Sequence, residues 1–231
     1  MTGRYFETLR TYGGEPALLS RHIKRLAAAV PRLGADDVAA RVRDALEPVD
    51  EDVVIRIEAG VGDVAIELRP LPAHALEDPE TPLATTISQV PGYAYPHKSI
   101  DRALHSELID AAQAIGAFEP LIVDHGLVIE GARTNVFVVD GLTLATPPLG
   151  RCLPGVTRGA LLDRAPEAGL TPLERDVSVD ELANADEVLL SNSLFGVRRV
   201  GMIDRRAVGG KSPDLRARLA RALQHKYEQA R

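Results

Sequence analysis

An α+β fold built on antiparallel sheets is the class this sequence predicts, and three observations carry it. Apolar residues alternate with period two through "DVVIRIEAG" and "VAIELRPLP", joined by a short "VGD" turn, the pattern of a hairpin. Strands and helices then follow one another without the steady β-α-β alternation of a doubly wound sheet. Neither a G-x-G-x-x-G turn after a strand nor a Walker pattern is present, which excludes those nucleotide-binding frameworks.

The elements can be justified in order. "RYFETLRTYGGEPALL" gives two short strands around Gly13–Gly14. Ser20 is placed to cap a helix whose apolar stripe is Ile23, Leu26, Ala27 and Val30, ended by Pro31 and Gly34. A second helix carries Val38, Val42, Ala45 and Leu46 on one face, and the hairpin follows. Residues 74–90 contain Pro79, Pro82 and many polar groups, and read as a linker. The expected domains are therefore 1–85, a small α/β unit, and 86–231, a larger β-rich unit that carries Lys98. The second half opens with a helix over 99–116. "PLIVDHGLVIEGARTNVFVVDGLTLATPP" then reads as a four-strand meander, and "LPGVTRGALLDRA" as a helix start. "ADEVLLSNSLFGVRRVGMI" supplies two strands broken at Ser191–Ser193, and "DLRARLARALQHKYEQA" an amphipathic helix.

The totals narrow the function classes. The chain has 231 residues, 45% of them hydrophobic, enough for a sizeable core. A net charge of −6 argues against nucleic acid as a partner. One cysteine, Cys152, excludes an internal disulfide and a Cys-cluster metal site, and fits a reducing, cytoplasmic setting. The N-terminus lacks an apolar signal core, and no run reaches the ~18 apolar residues of a membrane span.

Five places can carry chemistry, each with an ordinary alternative. Lys98, in the polar knot "AYPHKSIDR", can act as an amine nucleophile, although a lone lysine is most often a surface charge. Glu130 ends an apolar strand, and Asn135 opens the next. A carboxylate there needs a positive partner, such as a protonated pyridine nitrogen, unless it is simply an exposed strand end. In "LPGVTRGALL", Val156 and Thr157 open a helix whose free N–H groups and Thr hydroxyl suit an anion, or merely start a helix. The "SNS" at 191–193 offers more small donors, or a polar turn. Arg25 flanks an apolar helix stripe, where its planar fork suits phosphate, or is solvated. A lysine, an acid, an anion cradle and an arginine together form the set that pyridoxal phosphate (PLP) requires.

With those residues in view, a resemblance becomes specific. "FETLRTYGGEPALLSRHIKRL" resembles the opening of the class IV aminotransferase family, the fold-type IV PLP enzymes. "HKSIDR", "GLVIEGARTNVFVV", "TPPLGRCLPGVTR" and "ADEVLLSNSLFGVRRV" are similar to its later blocks, in the family's order, over nearly the whole chain. The resemblance implies a small N-terminal α/β domain and a larger one with a β-barrel-like core, in a homodimer. It implies that Lys98 holds the cofactor through its amine, that Glu130 pairs with the ring nitrogen, and that Arg25, Val156, Thr157 and Ser193 bind phosphate. No metal is expected, and a small amino-acid-like molecule is the expected substrate.

Within the family, the branched-chain enzymes carry Tyr five residues after the lysine, where this chain has Ala103. Arg102, four after the lysine, and Asn192 are similar to the 4-amino-4-deoxychorismate lyases, which form 4-aminobenzoate and pyruvate; Thr8, in the "FETLR" block, joins them as an expected substrate contact. Amino transfer from branched-chain or D-amino acids is the alternative, and a non-catalytic relative serving as a binding module a second one. The chain departs from the family in three ways: it lacks the strand and Gly-Asp turn that usually precede "FETLR", its Gly60–Asp63 turn is short, and no Arg-x-His carboxylate trap follows.

Overall fold

The computed structural model describes residues 3–212 and 214–229, with side chains through 224. The chain divides into two compact units. One comprises the chain through Glu77 together with His97–Asp101; the other comprises Asp78–Pro96 and Arg102–His225.

The first unit runs β1 (Tyr5–Tyr12), β2 (Glu15–Pro16), α1 (Leu19–Ala29), α2 (Ala35–Leu46), β3 (Val53–Gly60), β4 (Asp63–Pro70) and α3 (Ala73–Leu76). Its antiparallel sheet has the order β2-β1-β3-β4. Leu9, Ile55, Ile57 and Ala59 share one face and pack with Ile23, Leu26 and Val30 of α1's stripe and with Val38, Val42 and Leu46 of α2. That apolar pattern was the one read from the sequence. Ser20 is not the cap expected of it: α1 starts at Leu19, and Leu18 is the left-handed N-cap residue with no side-chain cap. Lys98 belongs to this unit because its segment lies along β1. Tyr5 and Ser99 form an antiparallel bridge, Phe6 N–H donates to Lys98 O (2.9 Å), and Ile100 N–H donates to Arg4 O (3.2 Å).

The second unit runs β5 (Leu83–Gln89), α4 (Ala103–Ala114), β6 (Glu119–Asp124), β7 (Leu127–Gly131), β8 (Asn135–Asp140), β9 (Thr143–Thr146), α5 (Val156–Arg164), a 3-10 turn at Ala165–Ala168, and β10 (Thr171–Glu174). It continues through α6 (Val179–Asn184), β11 (Glu187–Asn192), β12 (Gly196–Ile203), β13 (Arg206–Ala207) and α7 (Leu215–Gln229). Its sheet has nine strands in the order β10-β9-β8-β11-β12-β5-β6-β7, with β13 on β12. Strand β7 ends that path, yet a short connection, closed by Gly131 N–H donating to Thr134 O (2.8 Å), joins it to β8; the sheet must therefore curl. Leu121, Val123, Val136, Val138, Val188, Leu190 and Val200 fill its core.

Two features of this unit differ from the sequence reading. The stretch 74–90 is not a linker: β5 sits mid-sheet, parallel to both β12 and β6, with Leu83 and Thr85 buried. Its Thr-rich sequence hides a strand whose ladders, not its side chains, place it. The cut at 85/86 would divide β5, whereas the compact units divide after Glu77 and return the Lys98 segment to the first. Among the described residues, no helix is long and apolar enough to cross a membrane.

Candidate active site

In the first unit, β1 aims Glu7 inward, between Tyr5 and Leu9 on the helix-covered face. Helix α1 presents His22 and Arg25, three residues apart, to the same acid. Arg25 Nε donates to Glu7 Oε1 (2.8 Å) and Nη2 to Oε2 (2.5 Å), a fork-to-fork pair, while His22 Nδ1 lies 2.7 Å from Oε2. Burial alone would push the Glu7 carboxyl up; the Arg25 and His22 hydrogen bonds outweigh it and hold it at about 2. Burial also pushes His22 down, against the pull of Glu7, with the charges of Arg25 and Lys98 adding to the burial. His22 is therefore neutral at pH 7, with the hydrogen on Nδ1 facing the carboxylate. Arg25 is thus oriented by an acid from which it cannot swing freely.

Lys98 is half-buried, with its ammonium 4.7 Å from the centroid of the Phe6 ring. Thr8, two residues along β1, shares the face of Phe6 and stands in register with Arg56, whose guanidinium lies 3.6 Å from the same ring centroid. Lys98, Phe6 and Thr8 accordingly form one polar-aromatic patch, on the sheet face opposite the helices.

In the second unit, Glu130 is 3% exposed at the end of β7. Tyr93 Oη donates to its Oε1 (2.7 Å), and Leu153 N–H (2.9 Å) and Asn135 Nδ2 (3.4 Å) donate to its Oε2. Three donors from three segments make this a site built for a carboxylate, not a strand-end acid in water. Asn135 also donates to Leu153 O (3.0 Å). Gly155 must be glycine here, because a Cβ would stand 1.9 Å from Asn135 Oδ1. That close approach brings the start of α5 directly against the acid's cage.

Val156 and Thr157, both buried, form the first turn of α5, where the leading N–H groups have no helical acceptor. Thr157 Oγ1 lies 3.4 Å from Ser193 Oγ, in the turn between β11 and β12, so both hydroxyls meet at a helix N-terminus. Asn192 instead closes its own turn, its Oδ1 accepting from Leu194 and Phe195 N–H (3.0 Å each). Arg102 donates to Ala132 O (2.6 Å) and Tyr95 Oη (3.4 Å).

The structure therefore gathers Glu130 with the α5 start, and Thr157 with Ser193, in one unit, and sets Arg25 and Lys98 in the other. The sequence reading missed Glu7, His22, Tyr93, His105 and the cage role of Asn135. Glu7 had a usable signal, a charge at an inward strand position; Tyr93 and His105 meet only through tertiary packing. The residues fit PLP: a caged carboxylate suits a protonated ring nitrogen, a helix start with two hydroxyls suits a phosphate, and Lys98 offers an amine.

The family described as "Amino-transferase class IV" matches residues 4–203. A D-alanine aminotransferase of Bacillus licheniformis is 35% identical over 117 residues, a match that covers 50% of this chain and 41% of that protein's length. A PLP-bound hypothetical aminotransferase of Mycobacterium tuberculosis superposes with a TM-score of 0.88 at 20% identity, over 99% of this chain and 90% of that one. A Legionella pneumophila structure named "Putative 4-amino-4-deoxychorismate lyase" superposes at 0.83 and 19% identity, over 97% and 91%. At such identities the two structures bear on the fold. The chain belongs to the class IV aminotransferase family of PLP-dependent enzymes.

Proposed function

We propose that this enzyme is a 4-amino-4-deoxychorismate lyase. The observation that carries the reading is the pair Arg102, four residues after Lys98, and Asn192, in the last strand pair. Both are anchored to backbone groups, Arg102 on Ala132 O and Asn192 on Leu194 and Phe195 N–H, which supports fixed rather than incidental roles. When bound, PLP supplies an electron sink. Lys98 would hold the cofactor through its amine, and the same amine is the group that would take the proton from the substrate carbon bearing nitrogen. Glu130, kept as an acceptor by its three donors, holds the proton on the ring nitrogen. Arg25, Val156, Thr157 and Ser193 would hold the phosphate, and Thr8, Arg102 and Asn192 would orient the substrate. The proton removed returns to the enolpyruvyl methylene as pyruvate leaves, so neither water nor a second substrate is consumed. By resemblance the enzyme is a homodimer, and its single cysteine fits a cytoplasmic setting.

A second reading, amino transfer, is favoured by the 35%-identical D-alanine aminotransferase. In it, Lys98 would again be the group that moves the proton, and the amino group would pass from the amino acid to a 2-oxo acid. One experiment separates the two. The PLP-loaded protein is given aminodeoxychorismate, and 4-aminobenzoate fluorescence and pyruvate are followed together; D-alanine with 2-oxoglutarate is run in parallel. Equal amounts of both products, lost in Lys98→Ala, are expected. Fast amino transfer without aminobenzoate would reverse the assignment.

A further inference from the structure

The acid assigned to the ring nitrogen has a second layer behind it. Tyr93 and His105 are 5% and 4% exposed, and Tyr93 Oη lies 2.9 Å from His105 Nε2 as well as 2.7 Å from Glu130 Oε1. A phenol has one hydrogen. With that hydrogen on the carboxylate, Tyr93 can only accept from His105, which fixes the imidazole hydrogen on Nε2. Burial, then the Glu130 charge, push the Tyr93 phenol far above its ordinary range, so it stays a donor. His105 is itself held from behind by the Tyr95 ring, tilted against it with centroids 4.4 Å apart. Arg102 in turn lies beside Tyr95, its guanidinium 5.6 Å from that ring. The three groups of the chain come from separate places: the approach to Lys98, helix α4 and strand β7.

We infer that His105 and Tyr93 are positioning residues that act through Glu130, a directed hydrogen-bond chain that keeps the proton on the cofactor's ring nitrogen. A carboxylate that accepts a strong hydrogen bond has less affinity for a further proton, and a phenol that accepts from an imidazole is a stronger donor. Each link therefore leaves the proton on the ring rather than on the acid. The inference rests on Glu130 as the ring-nitrogen partner, and is independent of whether the enzyme is a lyase or a transaminase.

The test uses PLP labelled with nitrogen-15 in the ring, bound to the 231-residue chain. In the wild type the ring resonance is expected at the protonated position. In Tyr93→Phe it is expected to shift towards neutral pyridine. His105→Leu is expected to shift it the same way by less, and His105→Gln, which keeps an N–H donor, to restore part of the difference. A role in packing alone would lower the melting temperature or the PLP occupancy and leave the resonance where it was. Should Tyr93→Phe fail to fold, the two His105 variants carry the test. An unshifted resonance in folded, PLP-loaded variants overturns the inference. A wild-type ring resonance at the neutral position overturns the Glu130 assignment on which it stands, and leaves the reaction assay to judge the proposed function separately.

Discussion

Glu7 has 1% of its surface exposed, yet carries a full charge, because Arg25 grips both its oxygens and His22 donates to one. Removing one member of such a group leaves the others buried and unpaired, at a cost of about 3–5 kcal/mol. Glu7→Gln is expected to lose stability on that scale in urea unfolding at pH 7. The pH dependence has a definite sign. The folded carboxyl sits at about 2 against an ordinary 4.5, so the unfolded chain binds the proton first. The pair's stabilisation, about 3 kcal/mol, is complete above 4.5 and is lost as pH falls towards 2. His22 adds in the same direction below its ordinary 6.5, since burial lowers it too. A wild type whose acid unfolding matched that of Glu7→Gln would refute the account. At this scale the sequence singled out Glu130 and Arg25 but not what holds them, since Tyr93, His105 and Glu7 reach their partners across chain separations of 12 to 37 residues.

Between β7 and β8, the loop that separates Glu130 from Asn135 is pinned by one acid at the head of β6. Glu119 is wholly buried; Thr134 Oγ1 (2.5 Å) and Arg133 N–H (2.8 Å) donate to it, and Arg133 also donates to Phe118 O (2.7 Å). Gly131 leaves room for this, because a Cβ there would lie 2.2 Å from Thr134 Oγ1 and 2.8 Å from Glu119 Oε1. Burial pushes the Glu119 carboxyl up to about 7, against the pull of Thr134 and Arg133. Here the sign is opposite to that of Glu7: the folded state keeps a proton that the unfolded state gives up. Stability should therefore fall as pH rises from 4.5 to about 7, by about 3 kcal/mol at most, and stay lower above. Because His22 contributes in the opposite direction over the same range, the comparison is with Glu119→Gln: from pH 5 to pH 8 the wild-type urea midpoint is expected to fall relative to that of the variant, and equal slopes would remove Glu119 as the cause. The meander carrying this loop was legible, because its strands alternate or run apolar between clear turns. Strand β5 was not: "LATTISQ" is polar enough to pass for a linker, and only its two parallel ladders reveal it.

In the second unit, the order β10-β9-β8-β11-β12-β5-β6-β7 pairs β5 with β12, strands more than a hundred residues apart in the chain. Side-chain periodicity reports which residues face inward, not which strand lies alongside, so the sequence yielded the α+β class and most elements while the family resemblance supplied the curled sheet. The same long-range weave bears on stability. In the second unit alone, the residues proposed for PLP come from the Glu130 strand, the 153–157 helix start and the Ser193 turn, brought together only in the folded state. A ligand that binds such a set, and not the unfolded chain, stabilises by mass action: about 2.7 kcal/mol at a hundredfold excess over Kd. For a chain of this length that corresponds to a rise of roughly 5–10 °C in melting temperature. Wild type and Lys98→Ala should both show the rise while free PLP is present. After gel filtration only the wild type should keep it, because its cofactor is held through the lysine. Equal loss from both would mean that Lys98 is not the point of attachment, and no rise in either would mean that the chain lacks the site.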